Sequence, residues 1–264
     1  MTAAVPNLSI FIIARNEADR IGRTIAAVRG LSDDIVVIDS LSTDETRAVS
    51  EAHGARVIEH AFEGYGRQKR FGETQCRHPW LLNIDADEVI PPDLVAEIAA
   101  LFAKGEPDAD AYAIRIAEIF PGEGAPHPLT YALTPVRLWR RDKGTYSESP
   151  VHDRVDLVPG ARVHKLKGTI HHFSVRSLGA QIAKLNAYTD DQVRDLEARG
   201  QSISTARMVL EFPLNFIKAY VLRRHALRGA YGFMTAMNFA FYRYLRAAKS
   251  IERKRLRERD GTSE

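Results

Sequence analysis

Short, nearly unbroken apolar runs alternate with segments of helical spacing through the first hundred residues. Leu8–Ala14 (LSIFIIA) is the first run, and a strand buried on both faces reads this way. From Asn16 to Arg29, Ile21, Ile25 and Val28 recur at i, i+4 and i+7, which predicts a helix. A second run at Ile35–Ile38 predicts the next strand. Ser42 and Glu45 stand three apart as a capping box does, opening a helix to about His53 that Gly54 closes. Arg56–Glu59 predicts a third strand. After a flexible glycine turn at Gly64-Tyr65-Gly66, Trp80–Ile84 predicts a fourth.

Strands alternating with helices imply βαβ units around a parallel sheet, whose ligands sit outside the carboxyl ends of the strands. The polar clusters fall at those ends: Arg15-Asn16-Glu17, Asp39-Ser40, and Asp85 to Glu88. From about Ala111 to His172 the pattern changes to short strand-like pieces between turns rich in Gly and Pro. These read as an added mixed sheet or a set of loops over the site. Beyond Ser177 the spacing is helical again, with Leu178, Ile182 and Leu185 at i, i+4 and i+7. Pro213 is expected to interrupt it before further helix to about Arg259.

Composition sets bounds on this picture. With 264 residues, 45% hydrophobic and 27% charged, the chain is ordinary globular material, which excludes disordered, collagen-like and multi-span membrane classes. The single cysteine, Cys76, rules out an intramolecular disulfide or a cysteine-rich zinc module and suits a reducing cytoplasm. Arg15 and Glu17 end the first apolar run, so it reads as a strand and not as an export signal. The net charge of +3 hides an asymmetry. Residues 215–259 hold 12 Lys/Arg against Glu252 and Glu258, or +10, which leaves −7 on the remainder. An acidic body with a basic end points to an anionic surface as partner.

Asp85-x-Asp87, at a strand end, is the most informative local feature. Two carboxylates two residues apart can turn toward one divalent cation, which takes oxygen ligands and keeps positions open for phosphates. Capping of a helix at Pro91-Pro92-Asp93 is the competing reading for Asp87 and Glu88.

The wider order of motifs, IIARNEADRI, VVIDSLSTDET, GYGRQKRFG and WLLNIDADEVIPPD, resembles the family 2 glycosyltransferases. More narrowly, the Gly-x-Gly-x-Gln-Lys segment and the later Val151-His152-Asp153 resemble the lipopolysaccharide-core glucosyltransferase branch of the WaaE type. The resemblance covers roughly residues 8–180. It implies an α/β GT-A fold: a Rossmann-like, mostly parallel sheet flanked by helices, with a small mixed region and C-terminal helices. The implied catalytic domain is 1–180, its nucleotide-binding half about 1–90 and its acceptor half about 91–180, before a helical basic region at 181–264.

By the same resemblance, Ala14, Arg15 and Glu17 lie along the nucleotide, and Asp39 accepts hydrogen bonds from the uracil edge or ribose. Asp44 matches a second nucleotide position, although the first turn of a helix favours an acid anyway. Lys69, with Arg67 and Gln68, would balance donor phosphate charge; a solvated basic loop is the competing reading. Asp85 would reach the ribose or the metal, and Asp87 would be the main ligand of Mg²⁺ or Mn²⁺. His172 would add a ligand, and His171 would not, because neighbours on a strand face opposite ways. Asp153 would be the base that deprotonates the acceptor hydroxyl, one methylene shorter than the glutamate more usual in the branch. Glu148 is its nearest substitute, and a His152–Asp153 pair that merely holds a loop is the competing reading. Trp139 reads as a buried strand residue ahead of a sugar platform.

Between Arg228 and Arg243 lie 14 residues without formal charge, rich in aromatics and flanked by Lys and Arg. That is short of the roughly 20 a spanning helix requires. It suits a helix lying in the interface of an anionic membrane; a hairpin packed on the body or forming a homodimer is the competing reading. Nucleic acid is not an expected partner, since no recognised module accompanies the charge. The expectation is therefore a cytoplasmic, metal-dependent, inverting hexosyltransferase, peripheral on the inner face of the plasma membrane. It would move a sugar, with glucose from UDP-glucose the leading donor, onto a glycolipid such as lipopolysaccharide inner core. A sugar nucleotidyltransferase is one alternative, but Ala14-Arg15-Asn16-Glu17 lacks the Gly-rich basic loop that class places after its first strand. A non-catalytic membrane-binding scaffold is the other.

Overall fold

Continuous apolar strands build a parallel block at the start of the chain. In this computed structural model, which describes residues 5–120, 122–128, 132–148 and 153–261, β1 (Leu8–Ala14), β2 (Asp34–Asp39), β3 (Arg56–Glu59) and β4 (Trp80–Asp85) lie in the order β3-β2-β1-β4. Both faces of β1 are covered, which explains its unbroken hydrophobicity. Leu8, Ile10 and Ile12 pack with Ile21, Ile25 and Val28 of α1 (Ile21–Val28) on one side. Phe11, with Val36 and Ile38 of β2, faces the other side, where α3 (Tyr65–Gln75) lies. The chain runs outward through α2 (Thr46–Ala52) to β3, then returns to β4 on the far side of β1. That reversal leaves a crevice at the strands' carboxyl ends.

The middle strands extend the same sheet. β5 (Glu88–Val89) and α4 (Pro92–Phe102) precede β6 (Ala111–Glu118), with β7 (Ala132–Leu133) paired to β6. β8 (Val136–Arg140) inserts antiparallel between β4 and β6. β9 (Gly144–Tyr146) and β10 (Val155–Leu157) form a separate two-stranded ribbon. β11 (Val163–His172) runs parallel to β6 and antiparallel to β5, so His172 sits opposite Glu88.

The chain divides into two compact units, Met1–Glu118 with Ala132–Ser174, and Ile119–Tyr131 with Val175–Glu264. The second is helical. α5 (Leu178–Ala198) and α6 (Thr205–Ile217) pack on α7 (Gly229–Gly261), and a π-helical stretch Lys218–Leu222 and a 3₁₀ turn His225–Arg228 join α6 to α7. Among the described residues no helix is long and apolar enough to cross a membrane.

Four local expectations are corrected. The first helix starts at Ile21 and not near Asn16, because the amides of Asn16, Glu17 and Ala18 donate to Ser42, Thr46 and Asp44 instead of entering a helix. The Ser42–Glu45 capping box does not form: the Ser42 hydroxyl donates to Asp39, and Asp44 takes the Thr46 amide at 3.0 Å where the helix begins. The Gly64-Tyr65-Gly66 turn is the entry to α3, whose buried residues are Gly66, Gln68, Lys69, Gly72 and Glu73. Gly72 is needed for close approach, since a Cβ there would meet the Phe11 ring at 2.7 Å. Pro213 lies inside α6 without ending it. The breaks fall at Gly200 and Arg224, both with positive φ (65° and 60°).

Candidate active site

Parallel register sets the candidate residues side by side. Ala14 pairs with Asp39 across β1 and β2, and Ile13 pairs with Asp85 across β1 and β4. Two strand spacings separate Asp39 from Asp85, about 10 Å between backbones. Asp39 is 2% exposed and accepts hydrogen bonds from the Ser42 amide (2.9 Å) and hydroxyl. Arg15 is exposed at the end of β1. Asp44 accepts from the amides of Ala18 (3.1 Å) and Thr46, so it ties the loop after β1 to the loop after β2. Gln68, fully buried, donates to the Ser40 hydroxyl (3.0 Å) and the His60 carbonyl (3.2 Å), which fixes α3 against the end of β2.

Lys69 sits at the centre. Its side chain is 1% exposed, which rules out the solvated loop. The ammonium lies 2.8 Å from Asp85 and donates to Asp153, 84 residues after Lys69, at 2.5 Å, so it joins the end of β4 to that later segment. Val151 and His152 of the Val-His-Asp segment lie outside the described residues. Burial alone would push the Lys69 pKa down, but Asp85, with Tyr146 and Asp153, reverses this and keeps it raised. Asp85 is held from its other side by Arg137 at 3.0 Å. Burial opposes its ionisation, yet Arg137 and Lys69 hold the carboxyl far below the usual carboxylate range. Glu148 pairs with Arg70 at 3.1 Å, and both are exposed.

Asp87 faces a different set. Its Oδ2 is 3.3 Å from His172 Nε2 and 3.7 Å from Arg20. Its carbonyl accepts from the Phe173 amide (2.9 Å), so the end of β11 is fastened to this loop. Burial would discourage charge on both partners. The hydrogen bond between them wins, with Asp87 lowered and His172 raised from their ordinary pKa values. Asp87 does not cap α4, whose N-cap is Pro91 with no side-chain bond. Glu88 does not cap it either: buried, it accepts from the Asp85 amide (2.9 Å) and from Arg137 (2.9 Å).

Two arginines were not singled out from the sequence. Arg137 of β8, 7% exposed, donates to Asn83 (2.6 Å), Asp85 and Glu88. Arg20 links Glu17 to the Phe173 carbonyl (2.9 Å) and to Asp87. An arginine alternating with buried Leu138 inside a central strand is the one local signal available for Arg137. Trp139 is fully buried and donates to the Gly144 carbonyl (3.1 Å), so it is core and not a platform.

The donor chemistry partly fits a divalent ion. A carboxylate oxygen and an imidazole nitrogen 3.3 Å apart are a few tenths of an ångström wider than the roughly 3.0 Å between neighbouring ligands of an octahedral ion with bonds of about 2.1 Å. Asp85 does not join them, being occupied by Lys69 and Arg137. Among the described residues no three His, Cys, Asp or Glu side chains converge as a ready metal cage. Any ion held here would take most of its ligands from phosphate and water.

The family model of glycosyl transferase family 2 matches residues 9–159, the stretch that supplies every strand end described above except that of β11. The chain belongs to this family. It is 36% identical over 253 residues to an uncharacterized glycosyltransferase of Rickettsia felis, covering 93% of this chain and 89% of that one. It is 31% identical over 267 residues to the lipopolysaccharide core biosynthesis glycosyltransferase LpsC of Rhizobium meliloti, covering 96% and 94%. Among solved structures, that of S. aureus TarS shares the fold, with a TM-score of 0.50 at 13% identity over 88% of this chain and 55% of that one. The α/β fold is thus the GT-A arrangement expected for family 2, and the chain is a glycosyltransferase, an enzyme that transfers the sugar of a nucleotide-sugar donor to a saccharide acceptor and releases the nucleotide.

Proposed function

We propose that this glycosyltransferase transfers a hexose, with inversion, from a UDP-sugar such as UDP-glucose to a glycolipid acceptor of the lipopolysaccharide-core type. The supporting observation is the buried Lys69 ammonium, which binds Asp85 on the donor side and Asp153 from the acceptor half at once. The likeness to LpsC supports the acceptor class. In this reading the ends of β1 and β2 seat the nucleotide through Ala14, Arg15, Glu17 and Asp39, with Asp44 ordering that loop. Asp153 accepts the proton of the attacking acceptor hydroxyl, and Lys69 holds its carboxylate toward the donor.

Local charge supports a metal. The carboxylates of Glu17, Asp85, Asp87, Glu88 and Asp153 outnumber Arg20, Lys69 and Arg137 around the strand ends. A donor diphosphate would meet repulsion there without an added cation. Asp87 and His172 would hold Mg²⁺ or Mn²⁺, which supplies Lewis-acid stabilisation of the departing diphosphate. The acceptor would be met from the inner face of the plasma membrane, the enzyme resting on its anionic surface.

Donor-dependent transfer, measured with UDP-, GDP- and dTDP-sugars with and without Mn²⁺, tests the reading. Asp87→Ala should lose about 10³-fold in turnover together with metal-dependent UDP binding. Asp153→Asn should lose turnover while still binding UDP. Undiminished transfer by Asp87→Ala removes the metal role, and undiminished transfer by Asp153→Asn removes the base.

A further inference from the structure

The helical unit holds an apolar face in solvent. Leu210, Leu214, Ile217 and Val221 recur at i, i+4, i+7 and i+11 along α6 and its π-helical extension, each more than half exposed. The inward side of the same helix is already used: Glu211 and Ala219 are buried, and α6 packs on α7. An amphipathic helix of a globular protein turns one apolar stripe inward; α6 has a further one facing out. Beyond the stripe, Leu222 (74% exposed) and Leu227 (58%) flank the turn where Arg224 takes its positive φ. Phe233 of α7 packs edge-on against Phe216 and Tyr220 of the α6 segment, extending the patch.

Charge decides what this face meets. Of the seven Lys/Arg between Phe212 and Ile251, Arg228, Arg243, Arg246 and Lys249 are paired with Glu123, Glu211 and Asp190, so the charge at the stripe is that of the residues flanking it. Lys218 and Arg224 are exposed beside the stripe. A second copy would bring this basic surface against itself, like charge on like. An anionic lipid surface takes the side chains into its acyl boundary and the cations among its headgroups.

We propose that the outward face of α6 and the Leu222–Leu227 turn form the surface by which the chain lies on an anionic bilayer, with α6 in the plane of the headgroups. This deepens the membrane part of the function proposed above and rests on it. It also moves the contact from the uncharged stretch of α7 to α6.

Full-length protein is sedimented with vesicles of equal phosphatidylglycerol and phosphatidylcholine, and with phosphatidylcholine alone. The wild type should bind the anionic vesicles, weakly or not at all the neutral ones, and less as salt rises. Leu214→Glu/Ile217→Glu should lower the bound fraction about tenfold, and Leu214→Ser/Ile217→Ser should lower it with no added charge. Phe241→Glu on α7 should leave it unchanged. Equal binding by wild type and both α6 variants overturns the proposal, as does a wild type that ignores anionic vesicles. A wild-type dimer dispersed by the α6 variants assigns the face to a second copy and overturns it too. Hydrolysis of UDP-glucose by the same samples separates the two readings. Turnover without vesicle binding defeats the docking surface alone, whereas α6-dependent vesicle binding without turnover upholds it and defeats the transferase chemistry.

Discussion

Two buried charge clusters, one in each unit, solve opposite problems. At the end of β4, Asp85 and Glu88 share Arg137, while Lys69 bridges Asp85 to Asp153. There acids outnumber bases, and the Asp85 side chain stays 30% exposed. In the helical unit, one buried carboxylate, Glu211 of α6, is met by Arg207 (3.1 Å), Arg243 (3.2 Å) and Arg246 (3.3 Å), with Asn215 at 2.8 Å. There bases outnumber the acid, and Arg243 and Arg246 reach it across from α7. Excess negative charge on rigid strand ends beside a crevice is the arrangement on which the proposed cation rests. Excess positive charge on long side chains fastens α6 to α7 and leaves the unit basic.

Substitutions can break this contrast, and Arg137 offers the largest effect. Arg137→Met would leave Asp85 and Glu88 facing each other, which should cost about 3–5 kcal/mol in urea denaturation and abolish transfer. An unchanged midpoint would show that the strand-end cluster is no more strained than a surface pair. Next comes Lys69→Met, expected to lower kcat by about 10²–10³ with a smaller change in donor binding. Lys69→Arg should recover part of the loss if charge at that point is what matters.

Glu211→Gln sharpens the other side. It should cost about 1–3 kcal/mol and leave transfer to a soluble acceptor unchanged, because it loosens a helix contact and touches no site residue. Acid titration should give the smallest effect. Burial works against ionisation of Glu211, but Arg243, Arg207 and Arg246 outweigh it and hold the carboxyl below its ordinary value of 4.5. A depressed folded-state pKa means that its contribution is complete above that ordinary value and disappears as pH falls through the folded one. Melting temperatures of wild type and Glu211→Gln should therefore converge as pH falls below that ordinary value of 4.5.

The parallel block was legible because strands buried on both faces read as nearly continuous apolar runs, and Leu8–Ala14 occurs with the boundaries read from the pattern, as does the half-buried edge strand Arg56–Glu59 with its apolar centre Val57-Ile58. The α3 helix was illegible for the complementary reason. Its buried side consists of glycines, Gln68, Lys69 and Glu73, so hydrophobic periodicity is silent where polar groups do the packing. The order of motifs pointed to Asp85, Asp87, Lys69 and Asp153 without saying what they touch. Arg137 could not be paired in advance, since Asp85 lies 52 residues before it. The loop after β1 was misread because the acceptors that capture its amides come from another loop.

The antiparallel insertion of β8 bears on biosynthesis. A nascent polypeptide emerging from the ribosome completes β1 to β4 long before Arg137 is translated, and Asp153 arrives later still. Until then Asp85 has Lys69 and Asp87 has Arg20, but Glu88 lacks the Arg137 it pairs with. The early half can therefore pair its strands during translation, but the crevice at the strand ends is complete only after β8 has inserted between β4 and β6.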